Sequence, residues 1–217
     1  MSAARALALY TRALEAHPVR TQMMSSAVLW CSGDLIAQAL EHRRLPFSRG
    51  QAGTLVESLE RQQQPLDVRR TIVQTTYAAL VWAPVAHFWY ESLDRVARKV
   101  AQVGSRRFLL SKLALELAIL HPVSLVAFFG CVGIANGEAP SRIIGQLRHD
   151  FAPTLGMEWI LWTPLDVANF KMIPVRHQLL VVNCGCLAES VGLSLIKENG
   201  ISVPHRRAEE IQQGHDT

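Results

Sequence analysis

Two long stretches without a charged side chain constrain this sequence more than any other feature. Residues 71–90 form a run of 20 positions without Asp, Glu, Lys or Arg, and residues 117–137 form a run of 21. About 20 predominantly apolar residues in an α-helix span the roughly 30 Å hydrocarbon core of a bilayer. Both runs therefore predict transmembrane helices, because they are too long for strands and residues 71–90 lack the charged stripe of a soluble amphipathic helix.

Two further hydrophobic stretches carry isolated charges. Residues 21–39 contain only Asp34, and residues 159–196 contain only Asp166, Lys171, Arg176 and Glu189. The remaining charges gather between the hydrophobic stretches, with six bases and four acids in 41–70 and six bases and two acids in 91–112. A bilayer requires such banding, because a charge at its centre costs several kcal/mol.

The sequence therefore predicts an all-α polytopic membrane protein, a bundle of about four transmembrane helices in a single membrane domain, 1–217. The helices are expected at 18–41, 68–99, 106–136 and 155–197. Pro164 and Pro174 should kink or split the last helix, whose length leaves open two segments joined at Lys171–Arg176. Four spans place both termini on one side, and the excess of bases there favours the matrix or cytosolic side.

Three segments flank or connect the predicted spans. Residues 1–17 form a basic amphipathic segment, which fits either a short surface helix or a mitochondrial transit segment. Residues 42–67 are a polar loop that has room for a short helix at 52–62, and residues 198–217 are a hydrophilic tail.

Composition excludes several classes of protein. Charged residues make up 18% of the 217 residues, against about 25% in an ordinary soluble domain. The mean hydropathy of +0.15 argues against a disordered chain. A net charge of +4 is weak grounds for nucleic-acid binding, so no direct nucleic-acid partner is expected. The four cysteines and two intramembrane histidines have no metal-site spacing, and no catalytic motif is present, so we expect no enzyme, cofactor or metal.

Polar and small residues inside the spans are the candidates for function and packing. Ionisable and amide side chains in a membrane must face partners or water, which makes the following residues candidates for a pore lining or a polar core: Asp34, Gln38, His87, Glu116, Asp166 and Asn169. Lys112 lies one turn before Glu116 and is expected to neutralise it. Small residues four apart, Gly33 with Ala37 and Gly133 with Gly137, predict close helix packing.

The order of several motifs resembles one family of membrane proteins. Asp67, Arg69 and Arg70 precede Pro84, His87 and Trp89-Tyr90, and the later matches are Lys112, Glu116, Pro122, Trp159, Trp162, Asn169-Phe170 and Ile173-Pro174. The matches begin with Tyr10, Leu14, Pro18, Thr21, Gly33-Asp34 and Gln38, and they end with Leu193-Ser194. Together the matches run along nearly the whole chain. In this order the sequence resembles the Mpv-seventeen family, which also includes the twenty-two-kilodalton peroxisomal membrane protein.

The resemblance implies a four-span protein of the mitochondrial inner membrane or, alternatively, the peroxisome. It implies a small-solute channel or pore that supports mitochondrial homeostasis, in contact with the lipid bilayer. The sequence departs from the family at several polar positions: Glu116-Leu117 replaces an Asp-Gln pair, and Asp166 replaces a Gln. This divergence motivates the alternative of a non-catalytic accessory subunit or assembly factor in a larger mitochondrial membrane complex, a respiratory complex or a membrane-bound ribosome. A homo-oligomer is the other partner expected.

Overall fold

The computed structural model describes residues 3–42 and 66–198, and all regular structure in these ranges is helical. The all-α class is therefore confirmed. The predicted helix at 52–62, and nearly all of the predicted loop 42–67 and tail 198–217, lie outside the described residues.

Eight α-helices and two π-helical turns make up the described part of the chain. The α-helices are α1 (Ala3–Ala16), α2 (Pro18–His42), α3 (Val68–Tyr77), α4 (Ala83–Val100), α5 (Arg106–Leu115), α6 (His121–Ala135), α7 (Pro140–Met172) and α8 (Val175–Glu198). The π-helical turns Ala78–Trp82 and Glu116–Leu120 join α3 to α4 and α5 to α6. The predicted helices at 18–41, 68–99 and 106–136 are thus each present as one continuous helix.

Proline explains both π-helical turns. Pro84 and Pro122 follow the two turns closely, and each is the second residue of the α-helix that begins there. A proline inside a helix has no N–H for the carbonyl four residues earlier and clashes with it. Those carbonyls belong to Leu80 and Ala118, which both lie inside the wider π turns. The turns therefore accommodate the prolines without ending the helices.

Helices α2, 68–100 and 106–135 alternate in direction. Gln38 bonds to Thr71 at one end of the first pair, and Gln22 bonds to His87 at the other. Helices 68–100 and 106–135 likewise meet through Tyr90 and Glu116, and through Arg69 and the carbonyl of Ala135. Among the described helices, only 106–135 is long and apolar enough to qualify as a membrane span. Its most apolar 18 residues have a mean hydropathy of 2.1.

The predicted last helix, 155–197, is wrong in where it begins, and of its two alternatives, a kink or a split, the structure has the split. Helix α7 begins at Pro140 and passes through Pro164 without a break, and the chain then turns at Ile173 and Pro174 into α8. The two helices form an antiparallel hairpin, because Asn169 bonds to the carbonyl of Gln178, and Gly185 lies against Trp162 and Leu165. The alternative of two segments is therefore confirmed.

The hairpin also corrects the expected position of the termini. Helix α8 runs parallel to α2, since Ser26 bonds to Asn183, and Gly33 packs on the backbone of Leu187. Because α8 is the fifth long helix among those described, the start of α2 and the end of α8 lie at opposite ends of the bundle. We call the end that holds Pro18, Val100, Arg106 and Val175 the proximal end, and the other the distal end.

Helix α1 forms within the predicted segment 1–17 and lies at the proximal end. Leu14 is buried, the Tyr10 ring lies 6.0 Å from the ring of His177, and Arg176 Nη1 bonds Glu15 Oε1 at 2.9 Å. Thr21 Oγ1 also donates to the carbonyl of Ala13. These contacts fix α1 across the starts of α2 and α8.

Candidate functional site

The bundle has polar side chains inside and large apolar side chains outside. The following polar residues are at most 3% exposed: Gln22, Ser26, Asp34, Gln38, Lys112, Glu116, Asp166, Asn169, Gln178 and Asn183. Large apolar side chains are at least half exposed on α2 and on the helices 68–100, 106–135 and α7, among them Met24, Val28, Leu80, Phe88, Leu110, Ile134 and Ile160. Soluble proteins have the opposite distribution. Because the polar side chains gather in the interior of the bundle, we place the candidate site there.

At the distal end, four side chains and the backbone of Asp67 form what we call the Asp34 network. Asp34 Oδ2 accepts from Thr71 Oγ1 at 2.6 Å and from Gln38 Nε2 at 2.7 Å, and Arg70 Nε lies 2.8 Å from Asp34 Oδ1. Gln38 Oε1 accepts from the backbone N–H of Asp67, whose carboxylate caps α3. The network joins α2 to the start of α3 through short, charge-assisted bonds.

At the proximal end, Lys112 is buried between three helices. Its Nζ lies 3.3 Å from Asp94 Oδ1, 3.4 Å from Gln178 Oε1 and 4.8 Å from the centre of the Phe170 ring. Asp94 also pairs with Arg98 at 2.5 Å. Lys112 therefore pairs with Asp94, and the expectation that it neutralises Glu116 is corrected. Tertiary contacts decide this pairing, because Asp94 of α4 lies within reach of Lys112, while Trp89 and Tyr90 bond to Glu116.

Glu116 bonds to aromatic donors on α4. Trp89 Nε1 donates to Glu116 Oε2 at 2.6 Å, and the Tyr90 hydroxyl donates to Glu116 Oε1 at 3.0 Å. Both Tyr90 and Glu116 are at most 2% exposed. The carboxylate is thus held by two donors in the middle of the bundle.

A second acidic group, Asp166, has longer and fewer contacts. His121 Nε2 lies 3.5 Å from Asp166 Oδ2, and Asn169 Nδ2 donates to the carbonyl of Gln178 at 3.3 Å. Within the described part of the chain, His121 Nδ1 and Asn169 Oδ1 are buried without a hydrogen-bond partner. We call Asp166, His121 and Asn169 the Asp166 cluster. It retains unused hydrogen-bonding capacity in the interior.

A cavity of about 260 Å³ opens at the proximal end between α1, α2, α4 and α8. Its polar lining comprises Glu15, Gln22, His87, Tyr90, Glu91 and Arg176. Gln22 donates to the carbonyl of Arg176, which turns its Oε1 toward His87 Nδ1 at 2.7 Å. His87 Nε2 then faces Glu91 Oε1 at 3.5 Å. At about 30 Å³ for each water, the cavity has room for a small organic molecule or several waters.

The structure distributes the predicted site residues over separate contacts. Asp34 and Gln38 share one network, His87 lines the cavity, Glu116 bonds to Trp89 and Tyr90, and Asp166 and Asn169 belong to the Asp166 cluster. Five of the six are at most 2% exposed, and His87 is half-buried. The arrangement is a packed polar interior beside the open proximal cavity.

The predicted packing glycines have two different roles. A Cβ at Gly33 would lie 3.2 Å from Leu187 Cα, and a Cβ at Gly133 would lie 2.8 Å from side-chain atoms of Ile143, so both positions allow close helix contact. Ala37 is also buried. Gly137 differs from the expectation, because its φ is +79° and nothing lies near its Cβ position. It ends α6 in a Schellman motif, in which Glu138 N–H bonds to the carbonyl of Gly133.

Sequence reasoning missed several interior residues, namely Gln22, Ser26, Thr71, Asp94, Gln178 and Asn183. A usable signal was present for Gln22 and Ser26, which recur at i, i+4 on α2 within a stretch whose only charge is Asp34. No group of three or more His, Cys, Asp or Glu side chains in the described residues is arranged to hold a metal ion.

The family model and the relatives that match this chain agree with one another. The sequence model of the Mpv17 / PMP22 family matches residues 133–194. The chain is 30% identical over 175 residues to the mitochondrial inner membrane protein Mpv17 of Mus musculus, covering 81% of this chain and 88% of the relative. It is 28% identical over 180 residues to peroxisomal membrane protein 2 of Bos taurus, covering 82% and 83%. It is 29% identical over 162 residues to protein SYM1 of Mycosarcoma maydis, covering 75% and 71%. No solved structure matches the chain.

Proposed function

The chain belongs to the Mpv17 / PMP22 family, and from this premise we propose that it is a polytopic protein of an organelle membrane that provides a pathway for small solutes. Relatives named as mitochondrial inner membrane proteins favour that membrane, and the relative named as a peroxisomal membrane protein gives the alternative. The proposed role is transport without catalysis.

The distribution of polarity supports embedding in a membrane by several helices. Helix α2 has 25 residues and α8 has 24, so each is about 36–38 Å long at 1.5 Å per residue. This length exceeds the roughly 30 Å hydrocarbon core. The exposed aliphatic side chains would contact lipid, while the buried Asp34 of α2 pairs inside the bundle with Arg70.

One observation carries the solute pathway: the Tyr90 side chain lines the cavity and also bonds to Glu116 in the interior. Tyr90 therefore separates the open proximal cavity from the buried polar groups beyond it. Those groups include the Asp166 cluster, which has unpaired polar atoms. We infer that the structure is the closed form of a polar pathway, in which the Tyr90–Glu116 contact is the barrier next to the cavity.

Solute flux into vesicles tests this proposal. The purified protein is reconstituted into phosphatidylcholine vesicles, and entry of small charged and zwitterionic solutes is compared with entry into empty vesicles. We expect flux with the unchanged protein and faster flux with Tyr90→Phe, because this variant lacks the hydroxyl that holds Glu116. Tyr10→Phe is the matched control, since Tyr10 packs on His177 at a distance from this contact. If all three proteins leave flux at the level of empty vesicles, the solute pathway is wrong.

A second function, an accessory subunit of a larger membrane complex, is favoured by the internal pairing of the polar groups. Asp34, Glu116 and Lys112 all have partners inside the bundle, as expected for a scaffold that uses polar bonds to fix helix packing. Native electrophoresis of mild detergent extracts separates the two functions. Migration with a large complex supports the subunit, and migration as a small free species or homo-oligomer supports the solute pathway.

A further inference from the structure

The proximal end of the bundle is strongly basic. Ten exposed Lys and Arg side chains of the described residues belong to helices that begin, end or lie there: Arg5, Arg12, Arg20, Arg95, Arg98, Lys99, Arg106, Arg107, Lys171 and Arg176. The exposed acids on the same segments are Glu15 and Glu91, since Asp94 is buried beside Lys112 and Arg98. This end therefore presents a large positive surface.

Exposed aliphatic side chains accompany these bases. Leu7 and Leu9 of α1, at 54% and 52% exposed, lie between Arg5 and Arg12 in the sequence. Val100 next to Lys99 is 68% exposed, and Met172 next to Lys171 is 74% exposed. A surface that combines bases with aliphatic groups suits the boundary between lipid headgroups and acyl chains.

Three helices begin at the proximal end with arginine in their first turn and without an acid there. These arginines are Arg20 in α2, Arg106 and Arg107 in α5, and Arg176 in α8. The positive end of a helix dipole repels such cations, which usually occur at the other end of a helix. Arg176 already pairs with Glu15. The other three arginines and the helix ends add to one positive potential, which an anionic partner would neutralise.

We propose that the proximal end binds anionic lipid headgroups of the surrounding leaflet, with α1 lying in the headgroup layer. Phosphate groups neutralise the arginines, and the aliphatic side chains of α1 reach the upper acyl region. The proposal rests on the membrane embedding proposed above, and it does not depend on the solute pathway. Nucleic acid is the less suitable polyanion. Proteins that bind nucleic acid place their Lys and Arg side chains beside aromatic or polar side chains rather than aliphatic ones.

Lipid retention tests this proposal. The protein is reconstituted into vesicles of equal parts phosphatidylcholine and phosphatidylglycerol and extracted in mild detergent, and the lipids that remain bound are counted by native mass spectrometry. The variants are Arg5→Gln with Arg12→Gln and, separately, Arg106→Gln with Arg107→Gln. The matched control is Arg142→Gln with Arg148→Gln, because these two arginines of α7 are also exposed but lie in its distal half.

We expect phosphatidylglycerol to be retained severalfold over phosphatidylcholine. Because each base near an anionic surface contributes roughly fivefold, the loss of two should abolish this preference in each proximal variant, and the distal control should keep it. Equal retention of the two lipids, or an equal fall in all three variants, would overturn the proposal. Displacement of the phosphatidylglycerol by a short DNA duplex would assign the surface to nucleic acid instead. Failure to enter vesicles at all would contradict the embedding rather than the lipid preference.

Discussion

The Asp34 network and the Asp166 cluster both place a carboxylate inside the bundle, but they satisfy it differently. Asp34 has partners at 2.6, 2.7 and 2.8 Å, which come from three side chains. Asp166 has His121 at 3.5 Å, and its neighbour Asn169 has an oxygen without a partner among the described residues. The first carboxylate is held tightly at a helix junction, and the second lies in a loosely bonded interior.

This difference separates structural roles from functional ones. A buried polar network whose members have close partners fixes the packing of its helices, and loss of one member is costly. A partly satisfied group has capacity for water or a solute. We therefore expect changes at Asp34 to act mainly on stability, and changes at Asp166 to act mainly on solute flux.

The largest effect is expected for Asp34→Ala. This change leaves Thr71, Gln38 and Arg70 without their shared acceptor, and loss of one partner of a buried pair typically costs about 3–5 kcal/mol. Because the Arg70 side chain is 28% exposed and can reach solvent, we expect the lower part of this range. Unfolding of the purified protein in mixed micelles, followed by circular dichroism, measures the loss.

Asp34→Asn serves as the matched control for this prediction. The amide retains an acceptor for Thr71 but loses the charge that pairs with Arg70, so its cost should be about 1–2 kcal/mol. Equal stability of Asp34→Ala and the unchanged protein would show that the short bonds do not hold α2 to α3.

The next effect is expected for Gly33→Ala, beside Asp34 on α2. The new Cβ would lie 3.2 Å from the Cα of Leu187, and backbone cannot move aside as a side chain can. Overpacking of this kind costs about 1–3 kcal/mol. Gly130→Ala is the control, because Gly130 lies inside α6 with nothing within 4 Å of its Cβ position. The control should be neutral or slightly stabilising, and equal losses in both variants would contradict the close contact between α2 and α8.

Asp166→Asn should change stability less. Its contact to His121 is 3.5 Å long, and a single hydrogen bond contributes about 0.5–1.5 kcal/mol, so we expect a loss of about 1 kcal/mol or less. The amide removes a negative charge from the interior, and flux of cations into vesicles should fall relative to flux of anions. A loss of stability as large as that of Asp34→Ala, with unchanged flux, would remove the distinction between the two regions.

Much of the fold could be predicted from the sequence, because a helix suited to a bilayer leaves a simple pattern, a long apolar stretch without charged residues. The charge-free stretches predicted helices 68–100 and 106–135 nearly to the residue, since Pro84 and Pro122 are absorbed by π-helical turns without a break. The hairpin at Pro174 was harder to predict. Two prolines in one apolar stretch look alike in sequence, but Pro164 lies inside α7 and Pro174 lies in the turn.

The candidate site was predicted as a set of residues, but its pairings depend on contacts between helices. The i, i+4 spacing of Lys112 and Glu116 suggested a pair, yet tertiary packing brings Asp94 to Lys112 and Trp89 to Glu116. Gln178 could not be selected, because its role depends on the α7–α8 hairpin, which brings it within 3.4 Å of Lys112. The spacing of residues predicts faces within one helix and not the partners on another.

The smallest effect is expected for Glu15→Gln, which breaks the ion pair with Arg176 at the rim of the cavity. Both side chains are more than half exposed, at 58% and 55%, so the pair should contribute about 0.5 kcal/mol or less to unfolding. The pair nevertheless joins α1 to α8 across the proximal cavity, so its loss should widen access to Tyr90. We expect unchanged stability with faster solute flux, and the effect should shrink at high salt, where the pair is already screened. Flux unchanged at every salt concentration would show that the cavity does not lead into the interior, and the looseness of the Asp166 cluster would then need a purely structural explanation.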